Sequence, residues 1–345
     1  MNTRAMLTMG LAAVLLVAGG AMAVNIVTVP VGNAGNTGEL SGAGAGGYGP
    51  DRVSGAVGYD YRIAKHEVTA GQYTEFLNGV AGVDIHGLYN TEMWSSAYGC
   101  KIERYVGSGT SVDPYQYRVA ADWANRPVNY VSWGDAARFA NWLHNDQPIG
   151  DQDLSTTEDG AYFLNGAMTE TALTAVTREA DWEWSLPSED EWYKAAYHKS
   201  DGATGNYFEF PTASDAEPSN ALVEPVDPGN NATYLDSGLT IGAPYYRTEV
   251  GAHENSESAY GTFDQGGNVW EWNDGTPYGY YRGLRGGTFC CYDSGLAAAD
   301  RDGYYATYEN YGLGFRVVQV PEPAAMVLLV LGGVGLLVRR RRTSR

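Results

Sequence analysis

Cysteine and histidine are scarce in this chain, and their scarcity argues against several kinds of active site. The 345 residues include 3 cysteines and 5 histidines, and no two histidines stand in an H-x-x-x-H or H-E-x-x-H pattern of the kind that binds zinc on a helix. The sequence also has no G-x-S-x-G element, which carries the nucleophile of many serine hydrolases, and no phosphate-binding loop. We therefore expect none of these common catalytic centres.

Positive charge is also in short supply. The chain has 22 lysines and arginines against 41 aspartates and glutamates, which gives a formal net charge of −19 at pH 7. Proteins that bind nucleic acids need a positive field to meet the phosphates, so we expect no nucleic-acid partner. The excess of negative charge is instead typical of a surface that keeps a protein soluble.

The N-terminal end carries an apolar run. Met1–Ala23 combines the basic residue Arg4, an apolar stretch and the small-residue sequence Ala21-Met22-Ala23. This order predicts a secretory signal peptide over residues 1–23, removed by signal peptidase. Residues 24–58, which are rich in glycine, form either a flexible linker or, as we favour, a first strand at Ile26–Val29 with a loop after it.

The C-terminal end carries a second apolar run, at residues 324–338, between Pro321-Glu322-Pro323 and the basic cluster Arg339–Arg342. The run is shorter than the ~20 residues of a free-standing membrane helix. Residues 321–345 resemble a PEP-CTERM sorting signal. That resemblance implies a helix that anchors the protein in the inner membrane, and cutting near the Pro-Glu-Pro motif by an exosortase-type protease. The product would then pass to the cell surface or extracellular matrix. A plain tail anchor is the alternative.

Between the two ends, three amphipathic helices begin at recognisable capping residues. Thr69 and Gln72 form a capping box, as do Ser188 and Glu191, and Ser132 is a good N-cap. Short strands are predicted near residues 115–119, 269–272, 283–288 and 315–318. The pattern predicts one α+β domain with long irregular segments.

Six blocks of this domain resemble one known family. They are KHEVTAGQYTEFLN, RPVNYVSWGDAARFANWL, WSLPSEDEWYKAA, YGTFDQGGNVWEW, RGLRGGTF and LGFRV. In this order they resemble the formylglycine-generating enzyme (sulfatase-modifying factor) family, from about Tyr61 to Val318. The resemblance implies that residues 59–320 form an irregular, loop-rich, C-type-lectin-like fold. Within the last block we expect Phe315 in the core and Arg316 bonded to an internal carboxylate or to carbonyl groups.

The resemblance also implies structural calcium. Asn268 and Glu271 would coordinate Ca²⁺ together with nearby backbone carbonyls, and Asn220 with Asp236 would form part of a second site. Calcium takes six to eight oxygen ligands. The alternative for Glu271 is an ordinary hydrogen-bonded carboxylate on a strand.

The two adjacent cysteines bear on catalysis. In catalytic members of the family, two cysteines separated by four residues hold Cu(I) and oxidise a substrate cysteine with oxygen. Cys291 matches the first of them, but no cysteine follows it, and Leu296 stands five residues on. Cys290 is a poor substitute, because successive side chains of an extended segment point to opposite faces. We also expect Asp293 to raise the pKa of a neighbouring thiol.

A disulfide is the structural alternative for these residues. Adjacent cysteines are strained when bonded to each other, because their Cα atoms lie ~3.8 Å apart and disulfides prefer ~4.4–6.8 Å. A bond from Cys100 to Cys290 or to Cys291 is easier, and an exported protein permits it.

Three functions remain open at this point. We favour a non-catalytic surface module that binds a glycan or another surface protein. Its binding face would be the tyrosine-rich stretch at residues 300–312, because tyrosine offers a large contact area with a polar tip. The candidate residues are Tyr304, Tyr305, Tyr308 and Tyr311. These tyrosines would otherwise only pack the loop. The other functions are a copper-dependent formylglycine-generating oxidase that acts on exported sulfatases, and a structural protein of the extracellular matrix.

Overall fold

The computed structural model describes residues 23–223 and 226–320. The predicted signal peptide, except for its last residue Ala23, and the predicted sorting signal at 321–345 therefore lie outside the described residues. Across the described ranges, no helix is both long enough and apolar enough to cross a membrane.

The helices begin where the sequence carries capping residues. Those of the described residues are α1 (Ala70–Val80), α2 (Glu92–Ser95), α3 (Trp133–His144), α4 (Glu170–Ala175) and α5 (Glu189–Tyr197). The capping boxes predicted before α1 and α5 are present. At α3, where the sequence predicted Ser132 as the N-cap, Ser132 and Asp135 form a further capping box. Each box satisfies backbone N–H groups that a first helical turn leaves unpaired.

Helices α1 and α3 share an aromatic core. The ring centroids of Phe76 and Phe139 lie 5.3 Å apart, those of Phe139 and Phe315 also 5.3 Å, and those of Tyr73 and Phe76 5.4 Å. All four side chains are fully buried. Edge-to-face pairs of this kind add about 0.5–1.5 kcal/mol beyond the burial of area. The prediction that Phe315 belongs to the core is therefore confirmed.

The strands of the described residues form two four-stranded sheets and two hairpins. They are β1 (Thr28–Val31), β2 (Glu39–Ser41), β3 (Arg52–Ser54), β4 (Tyr61–Ala64), β5 (Ile102–Val106), β6 (Gln116–Val119), β7 (Trp184–Ser185), β8 (Trp270–Asn273), β9 (Arg282–Arg285), β10 (Asp302–Tyr304), β11 (Leu313–Gly314) and β12 (Val318–Gln319). The first sheet has the order β1-β4-β12-β7 and the second β10-β9-β8-β11, while β2–β3 and β5–β6 pair as hairpins.

The glycine-rich N-terminal segment contributes a strand. Strand β1 runs antiparallel to β4, with Thr28 opposite Ala64 and Val31 opposite Tyr61. Val31 and Tyr61 are buried in a small core of their own. The segment therefore forms a strand rather than a free linker, two residues later than the sequence predicted.

The strand predicted at residues 315–318 is wrong over most of its length. Strand β11 ends at Gly314 and pairs with β8, whereas β12 begins at Val318 and pairs with β4 and β7. The three residues between them carry the chain from one sheet to the other. The apolar alternation that suggested a strand comes from Phe315 and Val317, which are both buried at this crossing.

Candidate functional site

The cysteine pair lies on a tight turn that follows β9. Gly286 and Gly287 have φ angles of 96° and 73°, and a Cβ on Gly286 would lie only 2.5 Å from the carbonyl oxygen of Gln265. The N–H of Cys291 donates to the carbonyl oxygen of Thr288 at 2.9 Å. Because this backbone and this close approach suit only glycine at Gly286, the two glycines fix where the cysteines leave the sheet.

Neither adjacent cysteine is activated. Burial raises the pKa of the Cys291 thiol to about 11, and the neighbouring Cys290 adds to the effect. Burial also raises the pKa of Cys290. The expected direction is therefore confirmed for Cys291, but the cause is burial rather than Asp293. The thiolate is the form that attacks substrates and binds soft metals, and the raised pKa values favour the protonated thiol of both residues at neutral pH.

The position of the missing second thiol is filled by an apolar side chain. Leu296 is fully buried and lies in a cluster with Ala232, Tyr234 and Phe210. It ends a 3-10 helix at Asp293–Leu296, directly after Gly295, where an added Cβ would lie 3.3 Å from the Cβ of Cys291. The Leu296 side chain packs against Gly287, where an added Cβ would lie 2.9 Å from Leu296 Cδ1, so the position of the second thiol holds a buried apolar side chain.

The possible disulfide between Cys100 and Cys290 is not present, since all three cysteines are free thiols. Cys100 is fully buried in the main core, where its Sγ donates to the carbonyl oxygen of Asn129 at 3.9 Å. The Cys290 thiol is hydrogen-bonded to Tyr311 instead. The two thiols thus have separate partners, and the predicted bond between Cys100 and Cys290 is not formed.

The strand carboxylate Glu271 belongs to a buried ion pair. Its Oε2 accepts from Arg316 Nε at 2.6 Å and from Trp192 Nε1 at 2.7 Å, and its Oε1 accepts from Arg316 Nη2 at 2.7 Å. Both charged side chains are 0% exposed. The guanidinium also donates to the backbone carbonyls of Ala64 and Phe263. The expectation that Arg316 bonds an internal carboxylate and carbonyls is confirmed.

These contacts do not fit the first of the two expected calcium sites. Glu271 has its charge balanced by Arg316 and both oxygens occupied. The Asn268 side-chain oxygen accepts from the N–H and the hydroxyl of Thr248 at 3.0 and 3.2 Å, and its nitrogen donates to Glu67. Within the described part of the chain, no group of three or more His, Cys, Asp or Glu residues is placed to hold a metal. Glu271 is therefore a hydrogen-bonded carboxylate on a strand, which was the alternative to calcium ligation.

At the second expected calcium site, the Asn220 side chain contacts backbone carbonyls. Its nitrogen donates to those of Tyr234, Asp236 and Gly238 at 3.2, 3.1 and 2.8 Å. The Asp236 carboxylate accepts a hydrogen bond from the neighbouring Ser237 hydroxyl. Carbonyl and carboxylate oxygens are the ligands that calcium prefers, but here the three carbonyls are already paired with the Asn220 amide. Asn220 and the Asp236 backbone are in contact, and the calcium site itself stays a prediction.

The tyrosine stretch contributes to a larger aromatic surface. Three of the four candidate tyrosines join three others that precede β9. We call this surface the tyrosine ledge; its members are Tyr278, Tyr280, Tyr281, Tyr304, Tyr305 and Tyr308. Sequence reasoning missed the first three, although the run PYGYYRG carried the same aromatic signal.

The ledge is held together by ring contacts and remains open to solvent. The rings of Tyr281 and Tyr304 are nearly parallel, 8° apart in angle, with centroids separated by 5.9 Å, and the Tyr305 ring lies edge-on to Tyr281 at 4.8 Å. Tyr280, Tyr304 and Tyr305 remain 55%, 39% and 46% exposed. Strand β10, which carries Tyr304, is at the edge of its sheet. The ring contacts between the tyrosines therefore leave these three side chains open to solvent.

The fourth candidate, Tyr311, lies elsewhere. Its ring centroid is 5.1 Å from that of Tyr98 and 5.9 Å from that of Phe289, and Tyr246 completes the cluster at 4.6 Å from Tyr98. This cluster lies beside Cys290 rather than on the ledge.

A polar cleft of about 400 Å³ adjoins the ledge. Its lining includes Asp51, Arg52, Glu189, Thr276, Pro277 and Arg301. Tyr278, the first ledge residue, follows Pro277 directly and is hydrogen-bonded through its side chain to Tyr48. The cleft and the ledge are therefore adjacent at Pro277, whose Cγ would also lie 2.6 Å from a Cβ on Gly303, the residue before Tyr304.

One buried carboxylate organises the floor of this cleft. Glu189, 4% exposed, accepts from Arg285 Nη2 at 2.7 Å and from Arg301 Nη2 at 2.7 Å. Burial alone would raise the pKa of Glu189, but the two arginines outweigh it and lower the pKa to about 2. Arg285 also donates to the hydroxyls of Ser41 and Ser54. This network joins α5 and the second sheet to the hairpin β2–β3.

A pair of acids anchors the ledge loop on its inner side. Glu309 accepts a hydrogen bond from the Asn90 side chain and bonds the buried Asp135 at the start of α3. Burial raises the pKa of Glu309 to about 9, and the charges of Asp135 and Asp84 add to the effect. The raised pKa favours a proton on this pair of acids at neutral pH, because two buried carboxylates side by side disfavour double ionisation.

Replacement of Glu309 by glutamine should flatten the pH dependence of stability. Because the folded-state pKa of Glu309 is raised, its contribution is complete below about pH 4.5 and is lost as the pH rises through 9. The glutamine amide would keep a donor without this loss. We expect equal melting temperatures at pH 4.5 and, at pH 8.5, a melting temperature of the variant that is higher by at least about 2–4 °C, the equivalent of ~1 kcal/mol or more in a domain of this size. Thermal melts between pH 4.5 and 8.5 measure the effect, and Glu254→Gln on an exposed loop is the control. A difference in melting temperature between Glu309→Gln and wild type that is the same at all pH values would contradict the prediction.

Comparison with known proteins gives a family match but no close relative. A model of the sulfatase-modifying factor enzyme 1-like domain matches residues 12–321, and a model of the PEP-CTERM protein-sorting motif matches residues 319–342. No curated protein matches the chain.

Several solved structures resemble the chain at low identity. Treponema denticola variable protein 1 is 19% identical over 86% of this chain and 96% of its own, with a TM-score of 0.49. PvdO from Pseudomonas aeruginosa is 14% identical over 85% of this chain and 94% of its own, also with a TM-score of 0.49. CarF is 18% identical over 86% of this chain and 99% of its own, with a TM-score of 0.43.

Proposed function

The chain belongs to the sulfatase-modifying factor enzyme 1-like domain family, and we propose that it is a non-catalytic member that binds a ligand at the cell surface. The PEP-CTERM motif implies export, processing by an exosortase-type system and anchoring through the C-terminus. The mixed, loop-rich fold is that of the family. The finer function depends on whether the cysteine turn retains the family's chemistry.

The observation that carries the proposal is the packing around Cys291. A Cu(I) site needs at least two soft ligands. The second position holds Leu296, which is fully buried, and the pKa of Cys291 is raised to about 11. A raised thiol pKa at the first position and a buried leucine at the second support loss of the oxidase reaction and retention of the scaffold.

The competing function is formylglycine formation on an exported sulfatase. The test incubates the full chain, purified in detergent, with Cu(I), oxygen and a sulfatase-motif peptide, followed by mass spectrometry of the peptide. We expect the peptide cysteine to remain unchanged under conditions where an active family member converts it. Aldehyde formation that disappears in Cys291→Ser would overturn the proposal.

The tyrosine ledge is the proposed binding surface. Exposed apolar patches on soluble domains commonly mark interaction sites, and the ledge offers three tyrosines that are each more than one-third exposed. A structural matrix protein is the further alternative, and it would be favoured if glycan arrays and pull-down experiments both showed no ligand.

Calcium at the Asn220 loop is a separate proposal. The ion would take the place of the Asn220 N–H groups at the Gly238 carbonyl, with the Asn220 amide turned so that its oxygen, together with Asp236, completes the ligands. Extracellular calcium sites have dissociation constants of about 0.1–1 mM, so 10 mM calcium should raise the melting temperature by about 3–8 °C through preferential binding to the folded state. Chelation should reverse the shift, Asn220→Ala should abolish it, and Asn255→Ala should not. An equal response from Asn220→Ala and wild type would exclude this site.

A further inference from the structure

The ledge and the cleft present different chemical groups, and the combination points to a class of ligand. The ledge presents aromatic faces with hydroxyl tips, and the cleft presents carboxylates, guanidinium groups and a threonine hydroxyl. Ligand sites commonly combine apolar and aromatic walls with a few polar groups that fix orientation, in volumes of about 300–1,000 Å³. The cleft, at about 400 Å³, falls within this range.

A sugar chain suits this combination of surfaces. Each sugar ring has an apolar C–H face that packs on an aromatic ring, and hydroxyl groups at its rim that both donate and accept hydrogen bonds. The Tyr308 ring lies against one face of Tyr304, with centroids 4.1 Å apart, so the packing surface is the exposed remainder of Tyr304 together with the nearly parallel ring of Tyr281. Asp51 and Thr276, at the cleft, provide an acceptor and a hydroxyl at the end of the ledge.

The charges around the site restrict which sugars it can take. Two arginines line the cleft, and both form ion pairs within the protein. Arg301 pairs with Glu189 at an N–O distance of 2.7 Å, and Arg52 pairs with Asp190 at 2.6 Å. On the other side of the ledge, Glu170 accepts from the backbone of Thr307. A uronic acid or a sulfated sugar would therefore meet carboxylates and arginines that already have partners.

The same charge argues against self-association through the ledge. A second copy of the chain would carry the same formal net charge of −19, and like charges oppose association at close range. Of the ledge tyrosines, Tyr304 lies on the edge strand β10, and the others lie on the chain segments that flank β9 and β10.

From this geometry we propose that the cleft and the tyrosine ledge bind a neutral glycan, with sugar rings packed on Tyr281 and Tyr304 and hydroxyl groups bonded in the cleft. This inference rests on the proposed function as a surface binding module, and it names the ligand class. Binding then depends on aromatic contact rather than on ionic attraction, and it should be nearly insensitive to salt.

The test is calorimetric titration of the full chain in detergent with three neutral hexasaccharides, cellohexaose, maltohexaose and mannohexaose, and with a galacturonate hexamer. We expect at least one neutral probe to bind and the acidic probe not to bind. Tyr304→Ala and Tyr281→Ala should each weaken binding at least 10-fold, as loss of a central aromatic anchor does. Tyr292→Ala is the matched control, because Tyr292 is 64% exposed and lies outside the ledge.

The outcomes separate the ligand class from the proposed function. Binding of none of the neutral probes, or equal binding of the galacturonate hexamer, overturns the inference. Unchanged affinity in both Tyr281→Ala and Tyr304→Ala also overturns it, provided that thermal melts show both variants folded. If Tyr281→Ala is unfolded, the affinities of Tyr304→Ala and Tyr305→Ala decide whether the ledge binds the glycan. Aldehyde formation by the same preparation would overturn the proposed function itself, independently of the titrations.

Discussion

Replacement of Glu271 by alanine should lower the free energy of unfolding by about 3–5 kcal/mol, because it leaves the Arg316 guanidinium buried without its counter-charge. Both side chains are fully buried, and the pair is bidentate. For a domain of this size the loss corresponds to a fall in melting temperature of roughly 10 °C. Thermal and urea melts of the full chain measure it.

Two further variants identify the cause. In the double variant Glu271→Leu with Arg316→Met, both charges are removed, and stability should recover in part, since apolar pairs often replace buried ion pairs without loss. Arg118→Ala is the control: Arg118 pairs with Glu103 at 2.7 Å but is 62% exposed, and such surface pairs contribute at most ~1 kcal/mol. If Glu271→Ala cost no more than Arg118→Ala, the buried pair would not stabilise the fold as argued.

Replacement of Glu189 by alanine should be of similar severity, because the carboxylate serves two buried arginines at once. Arg285 and Arg301 are 0% and 4% exposed in this network, and removal of their partner leaves both charges uncompensated. We expect a loss of about 3–5 kcal/mol at pH 7, together with loosening of the hairpin β2–β3. Urea denaturation measures the first effect, and hydrogen exchange of the hairpin amides measures the second.

A second variant, Glu189→Gln, tests the same carboxylate through the pH dependence of the free energy of unfolding. The pKa of Glu189 is lowered to about 2, so its stabilising contribution is present above about pH 4.5 and is lost as the pH falls through 2. The difference between wild type and Glu189→Gln should therefore shrink steadily from pH 4.5 towards pH 2. Asp190→Asn is the neighbouring control, because Asp190 and its partner Arg52 are 26% and 36% exposed. A difference that stayed constant across this range would contradict the assigned role.

Local features of the fold could be predicted from the sequence, because they depend on residues close together in the chain. The capping residues Thr69, Ser132 and Ser188 mark where α1, α3 and α5 begin, and the spacing of Tyr73 and Phe76 predicts the buried face of α1. Capping and helical periodicity are set within one or two turns.

Contacts between distant segments were harder to predict. The ledge forms because β10 pairs with β9, with Gly303 opposite Gly283, and this register brings Tyr304 next to Tyr281. The sequence shows two tyrosine-rich runs but not their pairing. Likewise, Arg316 was expected to bond an internal carboxylate, but Glu271, 45 residues away, was assigned to calcium by family resemblance.

The position of β12 has a mechanical consequence for an anchored protein. Val318 and Gln319 pair with β4 on one side and with β7 on the other, immediately before the segment that carries the sorting motif. Tension applied through a C-terminal tether would therefore reach a strand in the interior of a sheet and be shared by its two neighbours. Strand β1, one of the two edge strands of this sheet, lies on the far side of β4, so the load enters the sheet at its interior, whereas Tyr304 of the ledge lies on β10 of the other sheet.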